Sequence, residues 1–108
     1  MLVGDLAVSA CTYLAADADG RSVRTVEGLA RDGRLSLLQQ AFIDHAAFQC
    51  GFCTSGMLMA ATALLEENPH PSRDEVTAGL EGNLCRCTGY APIVDAVLAA
   101  AASAEGPA

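Results

Sequence analysis

The sequence predicts a mainly α domain, a four-helix bundle preceded by a short β-forming stretch. Three observations carry that expectation. Ala and Leu dominate a chain of 108 residues that is 52% hydrophobic, enough for one modest core, while β-branched residues are sparse. From Leu35 onward the apolar residues recur at helical period. Ahead of that point the chain shows turn signals and short apolar alternations instead.

Gly4-Asp5 and Asp19-Gly20 are turn dipeptides, and Val23, Arg24 and Thr25 read as a short strand. The first helix is expected over Leu35 to Ala46, with Leu38, Phe42 and Ala46 on one face. The second is expected over Ser55 to Glu67. Met57, Leu58, Ala61, Leu64 and Leu65 form its apolar stripe, Thr54 is the candidate N-cap, and Asn68-Pro69 ends it. The third starts at Ser72, where Ser72 and Glu75 make a capping box, turns Val76 and Leu80 inward, and stops at Gly82-Asn83. The fourth is expected over Ala91 to Ala102, with Ile93, Val94, Val97 and Leu98 buried. The chain thus divides into residues 1–30, a helical region over 35–102, and a frayed tail over 103–108.

The net charge is −7 and every basic residue is Arg, with no basic cluster, so nucleic-acid binding is disfavoured. No apolar run reaches the roughly 18 residues of a membrane span. Met1 to Asp5 carry no basic n-region, so no signal peptide is visible. Five cysteines in such a chain point to metal or redox chemistry ahead of a disulfide framework.

Cys50 and Cys53 fall in the loop between the first two helices, and Cys85 and Cys87 in the loop between the last two. In an antiparallel bundle both loops lie at one end, so four thiolates can converge. The pattern is C-x2-C, thirty-one residues, then C-x-C. Four thiolates suit either tetrahedral zinc or a binuclear iron–sulfur cluster, and ligand count does not choose between them. Gly51, Thr54, Gly56, Thr88 and Gly89 are small enough to let backbone N–H groups approach the sulfurs, and Phe52 and Leu84 are expected to shield the site from water.

The segment Gln49-Cys50-Gly51-Phe52-Cys53-Thr54-Ser55-Gly56-Met57, with Gly82-Asn83-Leu84-Cys85-Arg86-Cys87-Thr88-Gly89-Tyr90, closely resembles the xanthine dehydrogenase and aldehyde oxidase family. More narrowly, it looks like the small iron–sulfur subunits of bacterial molybdenum hydroxylases, such as carbon monoxide dehydrogenase and related aldehyde or heteroaromatic oxidoreductases. The resemblance runs from about Ala7 to Val97. It implies a helical bundle holding one [2Fe–2S] cluster at one end through Cys50, Cys53, Cys85 and Cys87. It also implies that Gln49 lies against the molybdopterin of a partner subunit. In that family a plant-ferredoxin-like β domain precedes the bundle and holds a second cluster through C-x4-C-x2-C and a later cysteine, which Cys11 matches. The first three have no counterpart here. Against the family pattern the chain therefore looks N-terminally truncated, and residues 1–30 are a remnant of that β domain. Leu2, Val3, Ala7 and Val8 are then expected to lack the sheet that should bury them. Ser55, where a proline is usual, and Ser36-Leu37, where His-Pro is common, depart from the family without touching a thiolate.

Taken singly, Cys11 reads as a buried structural thiol, His45 and His70 as surface or helix-end residues, and Met57 and Met59 as packing. Gln49 and Arg86 read equally as solvated polar groups; a guanidinium between two ligands would also offset cluster charge. Tyr90 and Phe52 read as cluster shielding and core. No catalytic array or nucleotide loop is present, so substrate chemistry is not expected on this chain. The resemblance implies electron transfer inside a complex: a large molybdopterin subunit oxidises the substrate, this chain relays electrons, and an FAD subunit receives them. A cytoplasmic location is expected, or a periplasmic one if a preceding segment carries a signal. The competing readings are a zinc-stabilised interaction module and a non-functional fragment of a truncated or mis-started gene.

Overall fold

The computed structural model describes residues 1–104. Strands β1 (Leu2–Val3), β2 (Leu6–Ala7) and β3 (Val23–Arg24) precede helices α1 (Leu37–Asp44), α2 (Thr54–Glu67), α3 (Arg73–Leu80) and α4 (Ala91–Ala104). Short 3-10 turns occupy Ala15–Ala18 and Val26–Gly28.

The Gly4-Asp5 turn folds β2 back on β1, pairing Leu2 with Ala7 and Val3 with Leu6. β3 joins the other edge of β1, pairing Leu2 with Arg24 and Val3 with Val23, so β1 is the central strand. The sheet lies against α2 through β2, and Arg24 grips Glu66 of α2 with two 2.7 Å hydrogen bonds. These contacts overturn the expectation for Leu2 and Val3, which are 0% and 2% exposed. β3 supplies a third strand from within the chain, and a helix covers what a hairpin alone would leave wet. Ala7 is exposed and Val8 half-buried.

α1 is shorter than its apolar period suggested. Ser36 caps it through a complete capping box with Gln39, which fixes the start two residues after Leu35. Ala46 sits at φ +49° beyond the last turn, so Ala47 rather than Ala46 enters the core. At α2 the N-cap position belongs to Cys53, not Thr54. The Ser72–Glu75 capping box of α3 forms as its spacing predicts. α4 continues to Ala104, so Ser103 and Ala104 are helical rather than tail; residues 105–108 of the expected tail lie outside the described residues.

The core gathers Leu38 and Phe42 from α1, Met57, Leu58 and Ala61 from α2, Val76 and Leu80 from α3, and Ile93, Val94 and Val97 from α4. Ala96 and Ala100 join the α4 stripe, while Leu98 is half-buried at its edge. α1 packs chiefly along α4, and α3 bridges α2 and α4. That arrangement brings the α1–α2 and α3–α4 loops together.

Candidate metal centre

The first loop turns at Gly51, whose φ of +82° lies where a side chain would be strained. The turn closes with Thr54 N–H donating to the Gly51 carbonyl at 3.2 Å, and Phe52 N–H points at Cys50 Sγ at 3.5 Å. Cys53, as N-cap of α2, is half-buried, whereas Cys50 is exposed.

The second loop is tied to itself through Cys85. Thr88 N–H approaches Cys85 Sγ at 3.5 Å, and the Thr88 hydroxyl contacts the same sulfur at 3.2 Å. Cys85 N–H donates to the Tyr90 hydroxyl at 3.0 Å, and Tyr90 N–H donates to Thr88 Oγ1 at 3.1 Å. Tyr90 holds a φ of +72°, costly for a side-chain-bearing residue, and these two hydrogen bonds help to keep it there.

The loops meet closely. A Cβ on Gly56, in the first turn of α2, would stand 3.0 Å from Asn83 Oδ1 in the second loop. Cys50 Sγ and Cys87 Sγ are 3.6 Å apart, and the thiols of Cys53 and Cys85 interact as a second pair. Metal–sulfur bonds of about 2.3 Å in a tetrahedron give sulfur–sulfur edges of about 3.8 Å, so the Cys50–Cys87 separation fits two ligands of one metal atom. With Cys53 and Cys85 in contact as well, the four thiols would supply two ligands to each metal atom of a binuclear group. Among the described residues no group of three or more His, Cys, Asp or Glu side chains is arranged to hold a single ion.

Protonation differs among the thiols. Burial pushes Cys53 up to about 11, and the neighbouring Cys85 thiol adds to that. The Thr88 hydroxyl, then the Thr88 N–H and Cys53, bring Cys85 down to about 7. Hydrogen bonding with Cys50 raises Cys87. The Thr88 contacts thus favour the thiolate of Cys85, the form that binds metal, while burial disfavours it at Cys53. One further feature fits a sulfur-rich group held by these residues. Thr54 Oγ1, beside Cys53, is buried without a hydrogen-bond partner among the described residues, which leaves its hydroxyl free to donate to an acceptor the chain does not supply.

Other expected site residues lie differently. Phe52 and Leu84 are 94% and 82% exposed, and Tyr90 is exposed as well, so in the chain by itself they do not shield the thiols. At Phe52 the backbone N–H faces the Cys50 sulfur and the ring turns outward, whereas the Tyr90 hydroxyl stays in the loop as acceptor for Cys85 N–H. Gln49 and Arg86 are exposed at the same end. Cys11 is exposed in the turn after β2, closed by Thr12 N–H to the Ser9 carbonyl, and is no buried structural thiol. Sequence reasoning grouped Thr88 with the small loop residues and missed its hydroxyl at Cys85; its position three residues after a ligand candidate was the available signal.

A [2Fe-2S] binding domain family model matches residues 25–98. The nicotine 6-hydroxylase small subunit of Paenarthrobacter nicotinovorans is 61% identical over 91% of this chain and 59% of its own length. The xanthine dehydrogenase iron-sulfur-binding subunit of Escherichia coli O157:H7 is 52% identical over 91% of this chain and 63% of its own. The crystal structure of quinoline 2-oxidoreductase from Pseudomonas putida 86 superposes with a TM-score of 0.89 at 50% identity, covering 95% of this chain and 65% of that one. The chain therefore spans less than two thirds of the length of each of these proteins. Fold, thiol placement and these similarities together make the chain a member of the [2Fe-2S] binding domain family, alongside the iron–sulfur subunits of xanthine dehydrogenase and its relatives.

Proposed function

We propose that Cys50, Cys53, Cys85 and Cys87 ligate one [2Fe–2S] cluster, and that the chain relays electrons within a molybdopterin-dependent hydroxylase. The observation that carries this is the convergence of two loops into two thiol pairs, with Cys50 and Cys87 at 3.6 Å. The cluster would supply one-electron redox chemistry, while the chain's own residues hold it and set its surroundings. Cys50 and Cys53 hold it from the start of α2; Cys85 and Cys87 hold it from the α3–α4 loop. Backbone N–H groups of Phe52 and Thr88 donate toward the sulfurs and offset negative charge.

Electrons would arrive from a molybdenum site on a large partner subunit and leave toward FAD on another. Exposed Gln49 is available to meet the partner's pterin, next to Cys50. The outward Phe52 and Leu84 then become contact residues that a partner covers, so that shielding of the cluster is completed by assembly. Cys11 takes part only where a longer chain supplies three more cysteines for a second cluster, which would make residues 1–30 the closing part of a ferredoxin-like domain and 35–102 the helical cluster domain. No helix among the described residues is long and apolar enough to cross a membrane. Cysteines given to a metal cluster rather than to disulfides suit a reducing compartment such as the cytoplasm.

Metal and sulfide analysis tests the reading. The chain loaded under reducing, iron-replete conditions should hold about two irons and two labile sulfides. Ala at any one of the four cysteines should abolish the red-brown, dithionite-bleachable chromophore. One zinc without sulfide would overturn the proposal in favour of a structural metal.

A further inference from the structure

We propose that the Thr88 hydroxyl tunes the [2Fe–2S] cluster, raising its reduction potential through a hydrogen bond to Cys85 Sγ. The inference rests on Cys85 being a cluster ligand, and it assigns a role to a side chain that binds no metal itself.

Three contacts determine which way the hydrogen bond runs. A metal-bound cysteine is a thiolate without a proton, so in the 3.2 Å contact with Cys85 Sγ the hydroxyl must donate. Tyr90 N–H already donates to Thr88 Oγ1 at 3.1 Å, which occupies an oxygen lone pair and leaves the hydroxyl hydrogen for the sulfur. Cys85 N–H donates to the Tyr90 hydroxyl at 3.0 Å, which closes the loop and fixes the distance between residues 85 and 90. Tyr90 is thus the positioning residue, and Thr88 the group that touches the ligand atom. Thr88 and Cys85 are both half-buried.

The effect on potential has a definite sign. Reduction adds one electron to the cluster, and part of the added negative charge falls on the thiolate sulfurs. A donor aimed at a sulfur stabilises the reduced state more than the oxidised one, so the potential rises. At Cys50 the corresponding donor is the backbone N–H of Phe52, which side-chain substitution does not remove. At Cys85 the Thr88 N–H approaches at 3.5 Å as well, but the shorter contact, 3.2 Å, comes from the Thr88 hydroxyl, and substitution of that side chain isolates its contribution from the backbone donor.

The test is a potentiometric titration of the cluster-loaded full chain with dithionite, followed by the EPR signal of the reduced cluster. Thr88→Val keeps the size and branching and removes the hydroxyl; its midpoint should move to a more negative potential with two irons and two sulfides still bound. Thr88→Ser restores the donor and should stay close to the unmodified chain. An unmoved midpoint in Thr88→Val, or an equal shift in Thr88→Ser, overturns the proposal. If Thr88→Val loses its cluster, Thr88→Ala is titrated in its place. A second readout is the iron–thiolate stretching region of the resonance Raman spectrum: because the backbone N–H donors exchange in both proteins, the shift on transfer into D2O should be smaller in Thr88→Val than in the unmodified chain, and an equal shift also overturns the proposal. Failure of the unmodified chain to take up iron and sulfide would instead overturn the ligand assignment beneath it.

Discussion

Phe42 is the largest side chain sealed inside the helical core, where α1 packs on α4. Truncating such a ring leaves a void that helices on both sides fill only partly. Phe42→Ala should therefore cost about 3–5 kcal/mol, a large share of the roughly 5–15 kcal/mol that holds a domain together. Urea denaturation of the cluster-loaded chain measures this; a loss below 1 kcal/mol would mean that the core collapses around the gap. Phe42 was legible in the sequence because it shares the helical period of Leu38. Phe52 was not. Its neighbours Cys50 and Cys53 suggested shielding, but the turn at Gly51 directs the backbone N–H to the sulfur and the ring to solvent. Residue type alone does not carry that direction.

At the scale of elements, the caps were readable wherever a side chain closes its own turn. Ser72 and Glu75 show it; the Ser36–Gln39 box has the same kind of spacing, S-x-x-Q, but went unread, and the expected helix began at Leu35 instead. The small sheet depends on more distant partners. Arg24 of β3 reaches forty-two residues along the chain to Glu66, and that guanidinium holds the Glu66 carboxyl below its ordinary range. A carboxyl depressed in the folded state stabilises it at neutral pH, and that contribution disappears as pH falls through the depressed value. Both partners are partly solvated, so the pair is worth at most about 1 kcal/mol. Glu66→Gln should speed hydrogen exchange at Gly4 N–H, which donates to the Ser22 carbonyl at 2.8 Å across the sheet, and leave the α4 amides unchanged. Lowering the pH should weaken the same protection in the unmodified chain once exchange rates are corrected for pH. Equal protection in Glu66→Gln would show that the burial of Leu2 and Val3 holds the sheet unaided.

For the whole molecule, the two loops bearing the thiols also expose Phe52, Leu84 and Arg86, each next to a cysteine in the chain. A partner that covers this end would bury two apolar anchors and bring its own redox centre near the cluster. Arg86→Glu should weaken docking and slow reduction of the cluster by substrate in a reconstituted complex, mainly through association rate and with a dependence on salt. Substrate reduction at an unchanged rate would remove Arg86 from the interface. The sequence by itself determined the four helices, the position of the two cysteine motifs in two loops and the cap of α3, because each is written in residues a few positions apart. Only the tertiary structure decided that Cys50 stands against Cys87 and Cys53 against Cys85, that Thr88 reaches the Cys85 sulfur, and that Leu2 and Val3 are buried. Those outcomes depend on how α2, the sheet and the α3–α4 loop stack in space, and local spacing records the period of an element but not which neighbour covers it.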